Sequence, residues 1–154
     1  MADGQKHDWR IDAGLLVLRG AGLFLAFTFG LQKFVGYVTL IRMGGSLSTS
    51  GLAPLIRAMG FPFPGFLAVY AVLNESVGAL LIGLGLLTRI SAVFGALSMA
   101  GAFYTSIRLG EEPLRAALYL VIFLALAVTG PGKYSLDFLL QSRKSNPERK
   151  RSHE

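Results

Sequence analysis

The apolar segment from Phe66 to Leu87 carries Asn74 and Glu75 near its middle and ends in Leu86-Leu87-Thr88-Arg89. About 20 apolar residues span a bilayer, so the stretch has membrane length, and an acid halfway along it sits where a charge is most costly. Two arrangements accommodate such an acid. Either the helix is buried against other helices, or Glu75 lines a polar cavity between them.

The rest of the chain is of the same kind. Of its 154 residues 53% are hydrophobic, with a mean hydropathy of +0.54, and the charges cluster toward the ends and loops. That balance excludes an ordinary water-soluble domain and predicts one small all-α integral membrane domain in the lipid bilayer. The chain contains no cysteine, which removes disulfides, thiol relays, iron–sulfur clusters and zinc-thiolate sites. Both histidines, His7 and His153, fall in polar tails, so the membrane segments offer no imidazole for a metal, a haem or a proton relay. The net charge of +6 comes from basic residues that flank apolar runs rather than interleaving with aromatics. They report topology and not nucleic acid.

In chain order, residues 1–10 form a polar tail, 11–140 the membrane domain and 141–154 a basic tail expected to be disordered and drawn to anionic lipid. The first apolar run, from Ile11 to about Gly36, is too long for a signal-peptide core and shows no cleavage pattern, which predicts a retained helix. On it Arg19, Gly22, Ala26, Gly30 and Lys33 recur at spacings of three and four, placing small residues and both cations on one face. Small residues let membrane helices approach closely, so this face should meet the bundle and carry Arg19 inward, while Lys33 is expected to snorkel toward the interface. Tyr37 to Phe63 reads as a long connection in which Leu52 to Met59 could make a short interfacial helix.

The second helix presents Ala71, Glu75, Gly78, Ile82 and Gly85 on one face. Thr88-Arg89 turns into a third helix, Ile90 to about Ile107, and Leu114 to Thr129 makes a fourth with no ionisable residue after Arg115. Gly130-Pro131-Gly132 ends it, and Ser135 is placed to cap a last short interfacial helix. Both termini are expected on the cytoplasmic side. That orientation places Lys6, Arg10, Arg89, Lys133 and the basic tail inside, and Arg42, Arg57, Arg108 and Arg115, offset by Glu111 and Glu112, outside.

Centring the two apolar runs puts Arg19 and Glu75 roughly 6 to 7 Å apart in height, at ~1.5 Å per residue. The expectation is an Arg19–Glu75 pair across the first two helices, with Asn74 and either Thr28 or Ser98 adding the hydrogen bonds that a buried pair needs. Such a pair either locks helix register or serves a ligand or proton. Arg89 and Asp137 are expected to pair at the cytoplasmic ends.

Gly30-Leu31-Gln32-Lys33-Phe34, Glu75-Ser76-Val77-Gly78 with Gly83-Leu84-Gly85-Leu86-Leu87-Thr88-Arg89, and Gly130-Pro131-Gly132-Lys133-Tyr134-Ser135-Leu136-Asp137 stand in an order and spacing that resembles the DoxX family of small four-helix membrane proteins. The resemblance runs from about Ala13 to Leu140. It implies a four-helix membrane fold in the bacterial cytoplasmic (inner) membrane and a link with redox physiology, some relatives being membrane subunits of thiosulfate:quinone oxidoreductases or of oxidative-stress complexes. Carried over by position, the family's polar residues fall on Arg19, Gln32, Lys33, Glu75 and Arg89. Where many members carry histidine before the glycine of the first motif, this chain has Phe29.

Two functions follow from this reading. In one, the chain is a membrane subunit, not catalytic alone, that binds a quinone at a site drawn from Arg19, Gln32, Lys33, Asn74 and Glu75, with electrons supplied through another subunit. In the other it is a non-catalytic interaction protein that packs against other membrane subunits or copies of itself. A transporter is the weaker fit, with one central acid and no inverted repeat.

Overall fold

A computed structural model of the protein describes residues 9–144. His7, His153, Lys6 and the basic residues from 145 onward lie outside the described residues, and with them the expectations for both tails.

Every regular element among the described residues is helical: α1 (Trp9–Arg42), α2 (Ala53–Ala58), α3 (Pro64–Leu84), α4 (Thr88–Leu109), α5 (Leu114–Thr129) and α6 (Leu136–Lys144). By length and composition α1, α3 and α4 can each cross a membrane, and α5 is a shorter apolar helix of 16 residues. The two short helices expected beside the four-helix bundle are present as α2 and α6. α1 is longer than the sequence pattern suggests. Tyr37 to Arg42 continue the helix, because Gly36 alone costs only about 1 kcal/mol inside one and the chain meets no stronger breaker before Gly44-Gly45. α6 likewise runs on to Lys144, into the segment expected to be a disordered tail.

The small-residue face of α1 is the bundle face. Gly22, Ala26 and Gly30 are buried against α3, and Ile82 and Ala79 pack opposite them. A Cβ on Gly22 would stand 3.0 Å from the Ala79 carbonyl oxygen, and one on Gly30 would fall on the backbone carbonyl of Glu75. α4 and α5 close the other side, where Gly95 leaves room for the ring of Phe123. Outward the bundle shows Val17, Phe24, Phe27, Leu97, Val121 and Val128, the surface a lipid-embedded protein requires.

Two single π-helical turns interrupt this regularity, Ala26–Gly30 within α1 and Asn74–Gly78 within α3, and they face each other. Such turns insert one extra residue into a helix and are frequent at functional sites. Here a close backbone approach, Gly30 on Glu75, joins the two.

Gly30→Ala is therefore expected to force α1 and α3 apart and to cost about 1–3 kcal/mol, the range for overpacking a tight contact. Gly20→Ala, whose Cβ would meet nothing within 4 Å, should leave stability unchanged or raised. Thermal unfolding of both variants in mild detergent checks the contrast.

Candidate functional site

Two polar centres lie in the bundle, and they divide the residues expected to form one site. The first is at the end where both described termini lie. Arg19 is 3% exposed and directs its guanidinium to four backbone carbonyls. Nε donates to Ile82 O at 3.2 Å and Nη2 to Gly83 O at 3.0 Å, while Nη1 donates to Tyr134 O at 2.8 Å and Pro131 O at 3.3 Å. The last carbonyls of a helix have no partner within it, so Arg19 closes the C-terminus of α3 and fastens the glycine turn after α5 to the same point. Gly85, at φ +72°, has the Arg19 guanidinium where a side chain would stand.

Asp137 completes this clasp. Its backbone N–H donates to Gly85 O at 2.9 Å. Its carboxylate accepts from the backbone N–H of Leu87 at 2.8 Å, from that of Thr88 at 3.0 Å and from the Thr88 hydroxyl at 3.3 Å. Asp137 thus caps α4 from a distance and supports Leu87, whose φ of +48° is a conformation that side chains other than glycine avoid. The expected Arg89–Asp137 pair does not form. The orphan N–H groups at the start of α4 take the carboxylate instead, and Arg89 lies along Gly130. Ser135 caps α6 as the sequence suggests, its hydroxyl accepting from Phe138 N–H at 3.1 Å. Asp12, buried on α1, accepts from Lys133 N–H at 3.0 Å. Sequence reasoning passed over Asp12, although Asp12, Leu15 and Arg19 extend the small-residue face backward with the same spacing.

The second centre lies between the two π turns. Lys33 Nζ donates to Glu75 Oε2 at 2.5 Å, with the Lys33 side chain 39% exposed and that of Glu75 10%. The partner of Glu75 is therefore Lys33 and not Arg19, and Lys33 does not snorkel away. Side-chain direction explains the exchange. Helical side chains lean toward their own N-terminus, so on antiparallel helices Lys33 and Glu75 lean toward each other while Arg19 and Glu75 lean apart.

Asn74 back-bonds to Tyr70 O at 3.1 Å, and Gln32 lies on the exposed face of α1. Among the described residues every buried side-chain polar atom has a partner, and no three histidines, aspartates or glutamates come together as a metal site would require.

Around Lys33 the bundle opens. A cavity of about 370 Å³, open along its outer side, is lined by Lys33, Gly36, Tyr37, Leu40, Gly51 and Leu52, between the last turns of α1 and the loop before α2. Tyr37, read from sequence as loop, is a helical residue of this wall. Arg115 sets its guanidinium 4.6 Å above the ring of Phe29. The arrangement joins a neutralised ion pair to an apolar cavity, with lysine N–H groups left to donate.

A family model described as DoxX matches residues 14–107 of the chain. The chain belongs to the DoxX family. Curated DoxX-like relatives match over nearly their whole length. "Inner membrane protein YqjF" of Escherichia coli (strain K12) is 36% identical over 86% of this chain and 95% of its own length. "Putative oxidoreductase CatD" of Bacillus subtilis (strain 168) is 30% identical over 87% of this chain and 92% of its own. "Inner membrane protein YphA" of Escherichia coli (strain K12) is 33% identical over 80% and 87% respectively. No solved structure matches the chain. In this DoxX protein the matched region holds both Lys33 and Glu75, together with Arg19 and the α3–α4 turn.

The two centres should respond differently to mutation. Arg19→Ala removes the side-chain donor from four carbonyls, of which Ile82 O keeps the Gly85 N–H, and is expected to cost about 3 kcal/mol or more, at ~1–3 for each buried group left unpaired. Asp137→Ala should cost about 1–2 kcal/mol as a lost cap, and Arg89→Ala close to nothing. Unfolding of the three variants in one detergent ranks them.

Proposed function

We propose that this DoxX protein is an accessory membrane subunit of a quinone-linked redox complex in the bacterial cytoplasmic membrane, and that the Lys33–Glu75 pair holds the quinone headgroup. The observation that carries this reading is the pair itself, set at two facing π turns and open through Lys33 to an apolar cavity. A quinone ring is apolar with carbonyl oxygens at its edge, and it needs N–H or O–H donors in an otherwise greasy slot. Lys33 supplies the donor, and Glu75 cancels the charge that would make the slot prefer an anion. The name of CatD as an oxidoreductase agrees with this reading. The quinone supplies the electron-carrying chemistry when bound. Electrons would reach it through a partner subunit, since the chain has no cysteine and its histidines stand only at positions 7 and 153.

In the proposed orientation both termini face the cytoplasm. Arg10, Arg89 and Lys133 lie at that end, while Glu111 and Glu112 accompany the arginines of the other. A second reading, a scaffold packed against other membrane subunits or copies of itself, draws on Gly14 and Gly20 of α1, where an added Cβ would meet nothing within 4 Å and a further helix has room.

Purification in mild detergent separates the two. Quinone should co-purify with the wild type and fall about tenfold or more in Lys33→Ala and Glu75→Gln, with folding retained. Equal quinone in all three proteins sinks the proposal. Stable partner subunits without any bound small molecule support the scaffold.

A further inference from the structure

The Lys33 ammonium is one donor at the cavity, and a second stands one helical turn further along α1. Tyr37 lines the same cavity, and its hydroxyl accepts the backbone N–H of Leu52 at 2.9 Å. A phenol both accepts and donates, so this contact uses the oxygen and leaves its O–H proton to give away. Gly51, at φ +64°, has no side chain to crowd the phenol; a Cβ there would stand 2.6 Å from the hydroxyl oxygen. The remaining walls, Gly36, Leu40 and Leu52, carry no polar side chain.

Lys33 and Tyr37 are four residues apart on a helix, which puts their Cβ atoms about 6 Å from each other on one face. The cavity is therefore bordered by two donor side chains and by apolar walls, with the charge of one donor already balanced by Glu75. That combination suits a neutral, flat ligand with acceptor oxygens on opposite edges. It disfavours a phosphate, which would bring two or more acceptor oxygens to one point and a negative charge beside the Glu75 carboxylate.

We infer that Tyr37 is the second headgroup contact of the site, donating its O–H to the ring oxygen remote from Lys33, and that the loop carrying Gly51 and Leu52 fixes the phenol for this purpose. The inference rests on the quinone reading above and sharpens it. A site with both contacts selects a two-carbonyl ring over a one-carbonyl ring of the same size. It also places the ligand at the loop end of the bundle, against the last turns of α1.

The test uses the full chain in detergent and two probes with the same short alkyl tail, a 1,4-benzoquinone and a 4,4-dimethylcyclohexa-2,5-dienone, in which a quaternary carbon that cannot aromatise to a phenol replaces one ring carbonyl. Tyr37→Phe is expected to weaken the benzoquinone about five- to tenfold and to leave the dienone within twofold, abolishing the wild type's preference, as loss of one hydrogen bond should. Lys33→Ala should weaken both probes. Equal weakening of both probes by Tyr37→Phe would assign the phenol to loop structure alone and overturn this inference while leaving the quinone reading intact. If Lys33→Ala changes neither probe, the reading beneath it fails as well. Displacement of the benzoquinone by phosphatidylglycerol, lost in Tyr37→Phe, would hand the cavity to a lipid phosphate and overturn the two-carbonyl assignment.

Discussion

The bonds from Arg19 to four carbonyls are the interaction on which the rest of this bundle depends. In a bilayer there is no water to satisfy a helix end, so an irregular backbone at membrane depth must find its partners within the protein. The α3–α4 turn and the glycine turn after α5 are two such irregular places, and one guanidinium, with its five N–H groups in a fixed fork, serves both. Asp137 meets the complementary need, offering a carboxylate to the N–H groups that begin α4. Cation to carbonyls and anion to N–H groups is also the favourable sense for helix dipoles. The charges buried at this end are held by backbone as much as by each other.

With that end fastened, the register of α1 on α3 follows along the small-residue face to the approach of Gly30 on Glu75. The two π turns meet there, and the second ion pair lies beside them. The difference between the centres is one of access. Arg19 is enclosed by the chain it organises, whereas Lys33 is more than a third exposed and borders a cavity. A charge spent entirely on its own backbone can act on nothing else. A charge balanced by one neighbour and open on another side retains donors for a ligand.

The helical class, the bundle face of α1 and the two short helices were legible because each rests on local periodicity: Arg19, Gly22, Ala26 and Gly30 repeat as a buried stripe and are buried. The α1 boundary was misread at Tyr37 because a lone glycine looks like a breaker in sequence and is tolerated in a helix. The pairing of Glu75 was misread for a different reason. Centring two apolar runs compares Cα heights, and both Arg19 and Lys33 lie on the right face, so the choice turned on which way each side chain leans. Asp137 was assigned to Arg89 by charge, yet a helix start close by offered it two N–H groups. Sequence shows which residues are charged; it does not show which backbone groups have been left without partners.

That distinction bears on how DoxX motifs are read. Gly83 to Arg89 and Gly130 to Asp137 stand out in sequence, and in this chain the carbonyls, amides and side chains of both segments meet at the Arg19 clasp. Their prominence is accounted for by folding, and a substrate need not be invoked for them. The Gly30-Leu31-Gln32-Lys33 and Glu75 segments carry a different burden: a close helix approach, two π turns, and an ion pair open to one side. None of these is the cheapest way to pack two membrane helices, since apolar side chains at the same positions would avoid desolvating two charges. An arrangement costlier than its packing alternative, beside an open cavity, is where a functional centre is to be sought.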